Sequence, residues 1–382
     1  MSTAWLLDGA VRSVLAIGLA LLMDALLGDP VFNWHPVRLM GRLAAAMEGF
    51  CRRLSGLPVP ADATRGLGCA SPVGARAELR AVAAGALAWA LTFGLSAGLA
   101  LVVSRLAALF HPAFGLALDA AIIWASVAPR DLASHALRVK RALERDRREL
   151  VDVSREGPVH GRAAVAMIVG REISVLDETG VAKACIESVA ESSIDGAAAP
   201  LFWSTLLGPW AALAYRCVNT MDSMFGHRNA RYFSFGLVAA RADDLANWLP
   251  ARLSSILACL AAPLAGGSIR GSLASFFRYR RSHASPNAGH PEAAYAGAFG
   301  LRLGGPVSYP EGLAEKPWMN PDGRAAGIMD IHRAVKLMYI QTLVSAIVFL
   351  ACRFALGLLF NGIQSAIQSR TVSSSLAFSL KT

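Results

Sequence analysis

Long apolar stretches recur along the chain and predict helices that cross a membrane. A hydrocarbon core needs roughly 20 consecutive apolar residues per helix. Three stretches approach or exceed that length, and a fourth is shorter and carries Asp119. The candidate spans are residues 10–27, 81–103, 113–128 and 337–360. The pattern predicts an all-α polytopic integral membrane protein, with a single membrane domain over residues 1–380 and a Ser-rich disordered tail at 361–382.

Two weaker apolar stretches, 197–218 and 253–265, are predicted to be re-entrant or amphipathic helices rather than spans. If both crossed the membrane, residues 219–252 would lie outside the cell, away from the basic segments. Without them, the four strong spans give an outside N-terminus and large cytoplasmic loops at 28–80 and 129–336. We therefore expect 129–336 to be the catalytic region and to face the cytoplasm.

Composition and charge agree with a membrane protein. The chain is 54% hydrophobic and 17% charged, with a mean hydropathy of +0.44. Its net charge of +10 is concentrated in residues 38–80, 130–183 and 270–336, which the positive-inside rule places on the cytoplasmic side of a bacterial inner membrane. Basic and aromatic residues do not interleave, so no nucleic-acid partner is expected. The six scattered cysteines lack a C-x-x-C pair and predict free thiols.

Acidic residues form two clusters beside these apolar stretches. Glu187, Glu191 and Asp195 stand about one helical turn apart, so a helix aligns like charges that repel unless a cation lies between them. The second cluster consists of Asp222, Asp243 and Asp244. Acids within membrane segments are costly and commonly functional, which indicates a metal site, phosphate chemistry or both. The alternative is that some of them cap helices or form buried salt bridges with arginines.

Several short motifs rich in polar residues, Gly and Pro occur along the chain. Among them are A-P-R-D-L at 128–132, D-S-M-F-G-H at 222–227, A-R-A-D-D-L-A-N-W-L-P-A-R at 240–252, S-P-N-A-G at 285–289 and L-G-G-P at 303–306. Together they resemble the adenosylcobinamide-phosphate synthase family, the integral membrane enzymes of cobalamin biosynthesis, over about residues 20–335. Two departures are visible, because the family usually has G-R-D-T where Gly170 to Ile173 reads G-R-E-I, and E-N where Ser192 follows Glu191.

The resemblance implies an ATP-dependent amide ligation between a carboxylate of adenosylcobyric acid and the amine of aminopropanol phosphate or a related amino alcohol. It also implies ATP as cosubstrate and Mg²⁺, which prefers carboxylate and phosphate oxygens. The chain has neither a P-loop nor a dinucleotide-binding motif, so ATP is expected from the resemblance alone. The expected partners are a corrinoid, an amino alcohol phosphate, the lipid membrane and other enzymes that build the nucleotide loop of corrinoids. The sequence does not indicate an oligomeric state.

On this basis the expected catalytic residues are Glu187, Glu191, Asp195, Asp222, His227, Asp243 and Asp244. The expected metal ligands among them are Glu191, Asp195 and Asp222. Substrate or phosphate binding is expected from Arg130, Arg171, Asn219, Arg241, Asn247, Arg252, Ser285 and Asn287. Two positions carry an alternative. His227 is either a general base or a hydrogen-bonded structural residue, and the loop at Ser285 either cradles phosphate through its amides or is a capped turn.

Two other classes compete with the enzyme interpretation. A membrane transporter would also carry intramembrane acids and broken helices, but at matched positions of two repeats. The polar residues of this chain are concentrated in one block at 187–247, and no internal repeat is visible. A non-catalytic membrane sensor related to the same family would be expected to lose the acidic positions, which this chain retains. The sequence therefore favours the enzyme.

Overall fold

The chain folds almost entirely into helices. The computed structural model describes residues 3–29, 32–58, 74–149, 157–227, 229–309 and 312–379, with side chains described from residue 11 to residue 359 except at 308–314. It is 77% helical. Two sheets of two short strands each are present in the described residues. The predicted all-α class is confirmed.

Fourteen α-helices occur in the described part of the chain. They are α1 (Thr3–Leu27), α2 (Pro36–Leu54), α3 (Ala75–Phe110), α4 (Pro112–Trp124), α5 (Pro129–Glu149), α6 (Val159–Val165), α7 (Glu178–Ser193), α8 (Ala199–Leu207), α9 (Pro209–Phe225), α10 (Leu237–Ala246), α11 (Trp248–Ala261), α12 (Ile269–Tyr279), α13 (Gly289–Phe299) and α14 (Ile328–Ser379). A π-helical turn, Ile194–Ala198, joins α7 to α8, and a 3₁₀ turn, Ala262–Ala265, follows α11.

The strands lie between α13 and α14. They are β1 (Leu303–Gly304), β2 (Val307–Tyr309), β3 (Gly312–Ala314) and β4 (Trp318–Met319). Strand β1 pairs antiparallel with β4, and β2 pairs antiparallel with β3. Residues 266–327 therefore contain the 11-residue helices α12 and α13 and these two ribbons.

Four helices in the described residues are long and apolar enough to cross a membrane. They are Ala75–Phe110, Pro112–Glu149, Leu237–Ala265 and Ile328–Leu359. Three of them contain the predicted spans 81–103 and 113–128 and all but the last residue of 337–360. The helix Leu237–Ala265 contains residues 253–265, which were predicted to form a re-entrant or amphipathic helix. Half of its most apolar stretch is buried inside the protein. It is longer than the sequence indicated because α10, which carries Asp243 and Asp244, continues it toward the N-terminus.

The remaining predicted segments fall as follows. Residues 10–27 form the greater part of α1, and residues 197–218 are divided by Gly208 and Pro209 into α8 and α9. The tail predicted to be disordered, 361–382, lies outside the described residues apart from the helical backbone that continues to Ser379. Five cysteines are described, and all are free, as predicted for them.

Two helix groups make up the packed body. Helix α14 packs on α5, α7 and α11, and α3 packs on α2, α4 and α9. Helix α1 contacts both α4 and α14 and so joins the groups. The largest buried cluster surrounds α7 and includes Leu143, Ile186, Tyr295 and Leu337, each with no more than a trace of exposed surface. Burial of this apolar surface holds α7 rigidly at the centre of the molecule.

The acidic residue within the predicted span 113–128, Asp119, forms an ion pair. Helices α3 and α4 pack against each other on either side of His111, and Asp119 on α4 is 2% exposed. Its carboxylate accepts hydrogen bonds from Arg12 at 2.6 and 2.8 Å and from Ser104 at 2.7 Å. Because a buried charge is tolerated when it is paired and hydrogen-bonded, Asp119 has a structural role.

A second buried carboxylate fixes the segment between α9 and α10. Glu48 on α2 is 4% exposed and accepts hydrogen bonds from Arg52 at 2.8 Å and from Arg231 at 2.8 and 3.1 Å. The hydroxyl of Tyr232 lies 3.3 Å from the same carboxylate. These contacts anchor the segment that follows His227, and with it one side of the cavity described next.

Candidate active site

One cavity of about 870 Å³ gathers most of the polar residues predicted from the sequence. Its wall consists of the C-terminal part of α7 with the π-helical turn, the end of α9, the α10–α11 segment and the loop before α13. The predicted residues that line it are Glu191, Asp195, Asp222, His227, Asp243, Asp244, Asn247, Ser285 and Asn287. Carboxylates from separate helices therefore meet in one space.

The π-helical turn places Asp195 in the cavity wall. Such turns are rare and occur frequently at functional sites. The hydroxyl of the buried Tyr215 on α9 lies 3.4 Å from Oδ1 of Asp195 and donates to Oδ1 of Asn247 at 2.8 Å. Arg216 donates to the backbone carbonyl of Asp195 at 3.2 Å. These contacts tie the π-helical turn to α9.

Two amide side chains orient the carboxylate of Asp243. Nδ2 of Asn219 donates to one carboxylate oxygen at 3.3 Å, and Nδ2 of Asn247 donates to the other at 3.1 Å. Asn247 is 2% exposed and also accepts the hydrogen bond from Tyr215. The resulting network links α9, α10 and α11. Because both carboxylate oxygens accept a hydrogen bond, the network holds Asp243 in one orientation.

Burial and mutual repulsion disfavour the charged forms of these acids. Burial raises the pKa of Asp222 to about 6, and the charges of Asp244 and Glu191 contribute in the same direction. Burial, and then the charges of Asp243 and Glu191, raise the pKa of Asp195 well above its usual range. The Glu191 side chain is itself open to the cavity, and the surrounding protein walls raise its pKa by limiting its hydration. Such a lining attracts cations and repels uncompensated anions.

The S-P-N-A-G loop forms one side of the cavity as a capped turn. Oγ of Ser285 accepts hydrogen bonds from the backbone amides of Asn287 and Ala288, each at 3.2 Å. Nδ2 of Asn287 donates to the carbonyl of Asp244 at 2.8 Å, and its Oδ1 accepts from Arg252 at 3.2 Å. The two amides are engaged within the turn, and the side chains tie the loop to the α10–α11 segment.

The other predicted residues lie behind or away from the cavity wall. They are Arg130, Arg171, Glu187, Asn219, Arg241 and Arg252. Glu187 is 4% exposed and forms a 2.8 Å ion pair with Arg171. Arg130 donates to the carbonyl of Ala25 at 2.8 Å, near the end of α1. Arg241 is exposed on α10.

Three polar residues that the sequence did not single out stand at or beside the cavity. Lys316 lines it. His283 accepts the backbone N–H of Ser285 at Nδ1, 2.9 Å away, and its Nε2 lies 3.9 Å from Glu292. Burial, and then nearby carboxylates, raise the pKa of Glu292 well above its usual range. The sequence did offer one indication of Glu292, because it is the only acidic residue in the Ala-rich, apolar stretch that forms α13.

The donor set of the cavity fits a hard divalent cation. In the described residues no three His, Cys, Asp or Glu side chains converge closely enough to hold a metal ion on their own. Magnesium commonly takes one or two protein carboxylates and completes its shell with water and phosphate oxygens. Glu191, Asp195 and Asp222 all line this cavity and supply that kind of oxygen, and they remain the predicted ligands.

Comparison with known proteins gives one consistent result. A family model described as CobD/Cbib protein matches residues 17–338. The chain is 36% identical over 342 residues to the cobalamin biosynthesis protein CobD of Klebsiella pneumoniae, covering 90% of this chain and 98% of that protein. It is 36% identical over 344 residues to the cobalamin biosynthesis protein CbiB of Salmonella typhi, with the same coverage. No solved structure matches.

Proposed function

The chain belongs to the CobD/Cbib protein family, and we propose that it catalyses the ATP-dependent amide ligation of adenosylcobyric acid with aminopropanol phosphate, or a related amino alcohol phosphate, in cobalamin biosynthesis. The observation that supports this function best is the convergence of five carboxylates on one cavity, namely Glu191, Asp195, Asp222, Asp243 and Asp244. Its volume of about 870 Å³ is in the range of small-molecule sites.

Amide formation from a free carboxylate requires activation, because a carboxylate is a poor acyl donor. In the proposed reaction a carboxylate oxygen of the corrinoid attacks the γ-phosphorus of ATP, the bond to ADP breaks, and an acyl phosphate forms. The free amine then attacks the acyl carbon and loses a proton. The bond to phosphate breaks, and the products are the amide, ADP and inorganic phosphate.

The negative lining suits the amine substrate. An amino alcohol arrives as an ammonium ion, which the carboxylates attract, and it becomes a nucleophile only after it loses a proton. His227, which lines the same cavity, is the residue we propose as the acceptor of this proton.

Mg²⁺ near the nucleotide would be held by one or two carboxylates of the set Glu191, Asp195 and Asp222, with water and phosphate oxygens completing its shell. Bound Mg²⁺ would neutralise charge on the phosphate groups during phosphoryl transfer. The protein's own part is to keep these carboxylates in place, through the packing of α7 and the contacts of Tyr215 and Arg216 with the π-helical turn.

Purified protein in detergent, supplied with ATP, Mg²⁺, adenosylcobyric acid and aminopropanol phosphate, is expected to form the amide together with stoichiometric ADP and inorganic phosphate. Omission of any one component should abolish product, because each supplies an atom or a charge that the reaction needs. Corrinoid products separated by liquid chromatography and phosphate release provide the measurement. ATP consumption that is independent of the amine, with no amide formed, would contradict the ligase assignment.

The proposed orientation is tested with the same assay in sealed membranes. Because the basic segments and ATP are expected on the cytoplasmic side, inverted inner-membrane vesicles should form product from externally added ATP. Right-side-out vesicles should do so only after they are made permeable. Equal turnover in intact right-side-out vesicles would place the cavity on the outer face.

A further inference from the structure

Charge is unevenly distributed around the cavity. Five carboxylates line it, and Lys316 is the one Lys or Arg among the described lining residues. The substrates of the proposed reaction include a triphosphate and a phosphate monoester, which such a lining repels unless cations compensate the charge. A lysine ammonium is a compact point charge suited to phosphate oxygens. Lys316 is therefore placed where a phosphate-binding cation is needed.

A short ribbon presents Lys316 to the cavity. We call residues 303–305 and 316–319 the β1/β4 ribbon. Its two strands pair Leu303 with Met319, and both of these side chains are buried. Gly304 and Gly305 have φ of 74° and 76°, a conformation that favours glycine. A side chain at position 305 would lie 2.4 Å from the ring of Trp318, so glycine also permits the close packing of the ribbon.

Two charged residues of α7 hold this ribbon by its backbone. Glu187 accepts the N–H of Gly304 at 2.7 Å, and Lys183 donates to the carbonyl of the same glycine at 2.6 Å. Glu187 is kept in position by its ion pair with Arg171. The ammonium of Lys183 also lies 4.8 Å from the ring centre of Trp318. One helix thus carries the cavity acid Glu191 and both anchors of the ribbon.

We propose that Lys316 binds phosphate oxygens of a substrate, and that Glu187 and Lys183 position it by anchoring the β1/β4 ribbon on α7. The inference rests on the proposed function for the identity of the substrates. The phosphate belongs either to ATP or to the amino alcohol phosphate, and kinetics distinguish these two sources. Glu187 then acts as a positioning residue that does not itself touch substrate.

Steady-state kinetics of Lys316→Met and Lys316→Arg test the phosphate contact. Loss of a hydrogen bond to a charged group should raise KM for one phosphate substrate about 10- to 100-fold in Lys316→Met, and Lys316→Arg should restore most of the affinity. A raised KM for ATP assigns the contact to the nucleotide, whereas a raised KM for aminopropanol phosphate assigns it to the amine substrate. Lys336→Met, an exposed lysine outside the cavity, makes the same chemical change and should leave both KM values unchanged.

If Lys316 only balances the charge of neighbouring acids, Lys316→Met will lower thermal stability and leave both KM values as they were, and the inference is overturned. Calorimetric titration with inorganic tripolyphosphate and Mg²⁺, and separately with aminopropanol phosphate, separates this inference from the proposed function. Binding of either ligand by the parent that is lost in Lys316→Met supports the phosphate site even if no amide is formed. Equal binding of both ligands by both proteins, or binding by neither, refutes the site even if the parent is an active ligase.

Discussion

Replacing Glu191 or Asp222 with its amide is expected to lower turnover about 100- to 1,000-fold while the protein stays at least as stable as the parent. Turnover falls because the amide keeps the size of the side chain but removes a charge that we assign to Mg²⁺ binding. Stability is retained because burial and the neighbouring charges already disfavour the ionised Asp222, so that neutralising it relieves repulsion. Turnover and thermal midpoint, measured on the same preparation, check both parts.

The matched control is Glu149→Gln on the exposed end of α5. Its carboxylate pairs with Arg145 at 2.7 Å and lies 3.0 Å from His160 on the protein surface. Since exposed ion pairs contribute little to stability, this variant should retain parental turnover and thermal midpoint. A poorly folded Asp222→Asn variant whose surviving fraction turns over normally would show that Asp222 is structural.

Glu187→Gln is expected to behave in the opposite way, with loss of folded protein as its first effect. Glu187 is 4% exposed, pairs with Arg171 at 2.8 Å and accepts the amide of Gly304. Breaking a buried ion pair leaves an uncompensated charge and costs about 3–5 kcal/mol. The yield of detergent-extracted protein and its thermal midpoint should both fall, although glutamine can still accept the bond from Gly304.

The double variant Glu187→Gln/Arg171→Gln distinguishes a structural pair from a catalytic acid. Removing both charges leaves no unpaired ion, so the thermal midpoint should recover part of the loss seen in the single variant. The folded fraction of either variant should retain a measurable maximal turnover, with a raised KM for the phosphate substrate if the ribbon is displaced. A fully stable Glu187→Gln protein without turnover would instead place Glu187 among the catalytic acids.

Local spacing was sufficient to find much of the candidate site. Glu191 and Asp195 stand a turn apart, and the motifs at 222–227 and 240–252 add acids on other helices, so each was visible as a costly group beside apolar sequence. The structure brings these acids to one cavity. The all-α membrane class could also be predicted from the sequence, because the apolar stretches are long enough for helices that cross a membrane.

Contacts between distant parts of the chain could not be predicted in this way. Glu187 and Glu191 have the same helical spacing, yet Glu187 meets Gly304, 117 residues further on, and is covered by the ribbon. Lys316 is one of many basic residues in its segment, and only the pairing of β1 with β4 shows that it faces the acids. The length of the helix Leu237–Ala265 was also underestimated. The polar residues of α10 interrupt its hydrophobic pattern where they line the cavity.

We expect this protein to activate a corrinoid carboxylate as an acyl phosphate and then to form an amide. Adenosylcobyric acid carrying oxygen-18 in the reacting carboxylate tests it most directly, with mass spectrometry of the products after turnover with ATP and aminopropanol phosphate. We expect one labelled oxygen to leave in inorganic phosphate, the other to stay in the amide carbonyl, and the nucleotide product to be unlabelled ADP. Label in AMP, or amide formation with no label in phosphate, would contradict it.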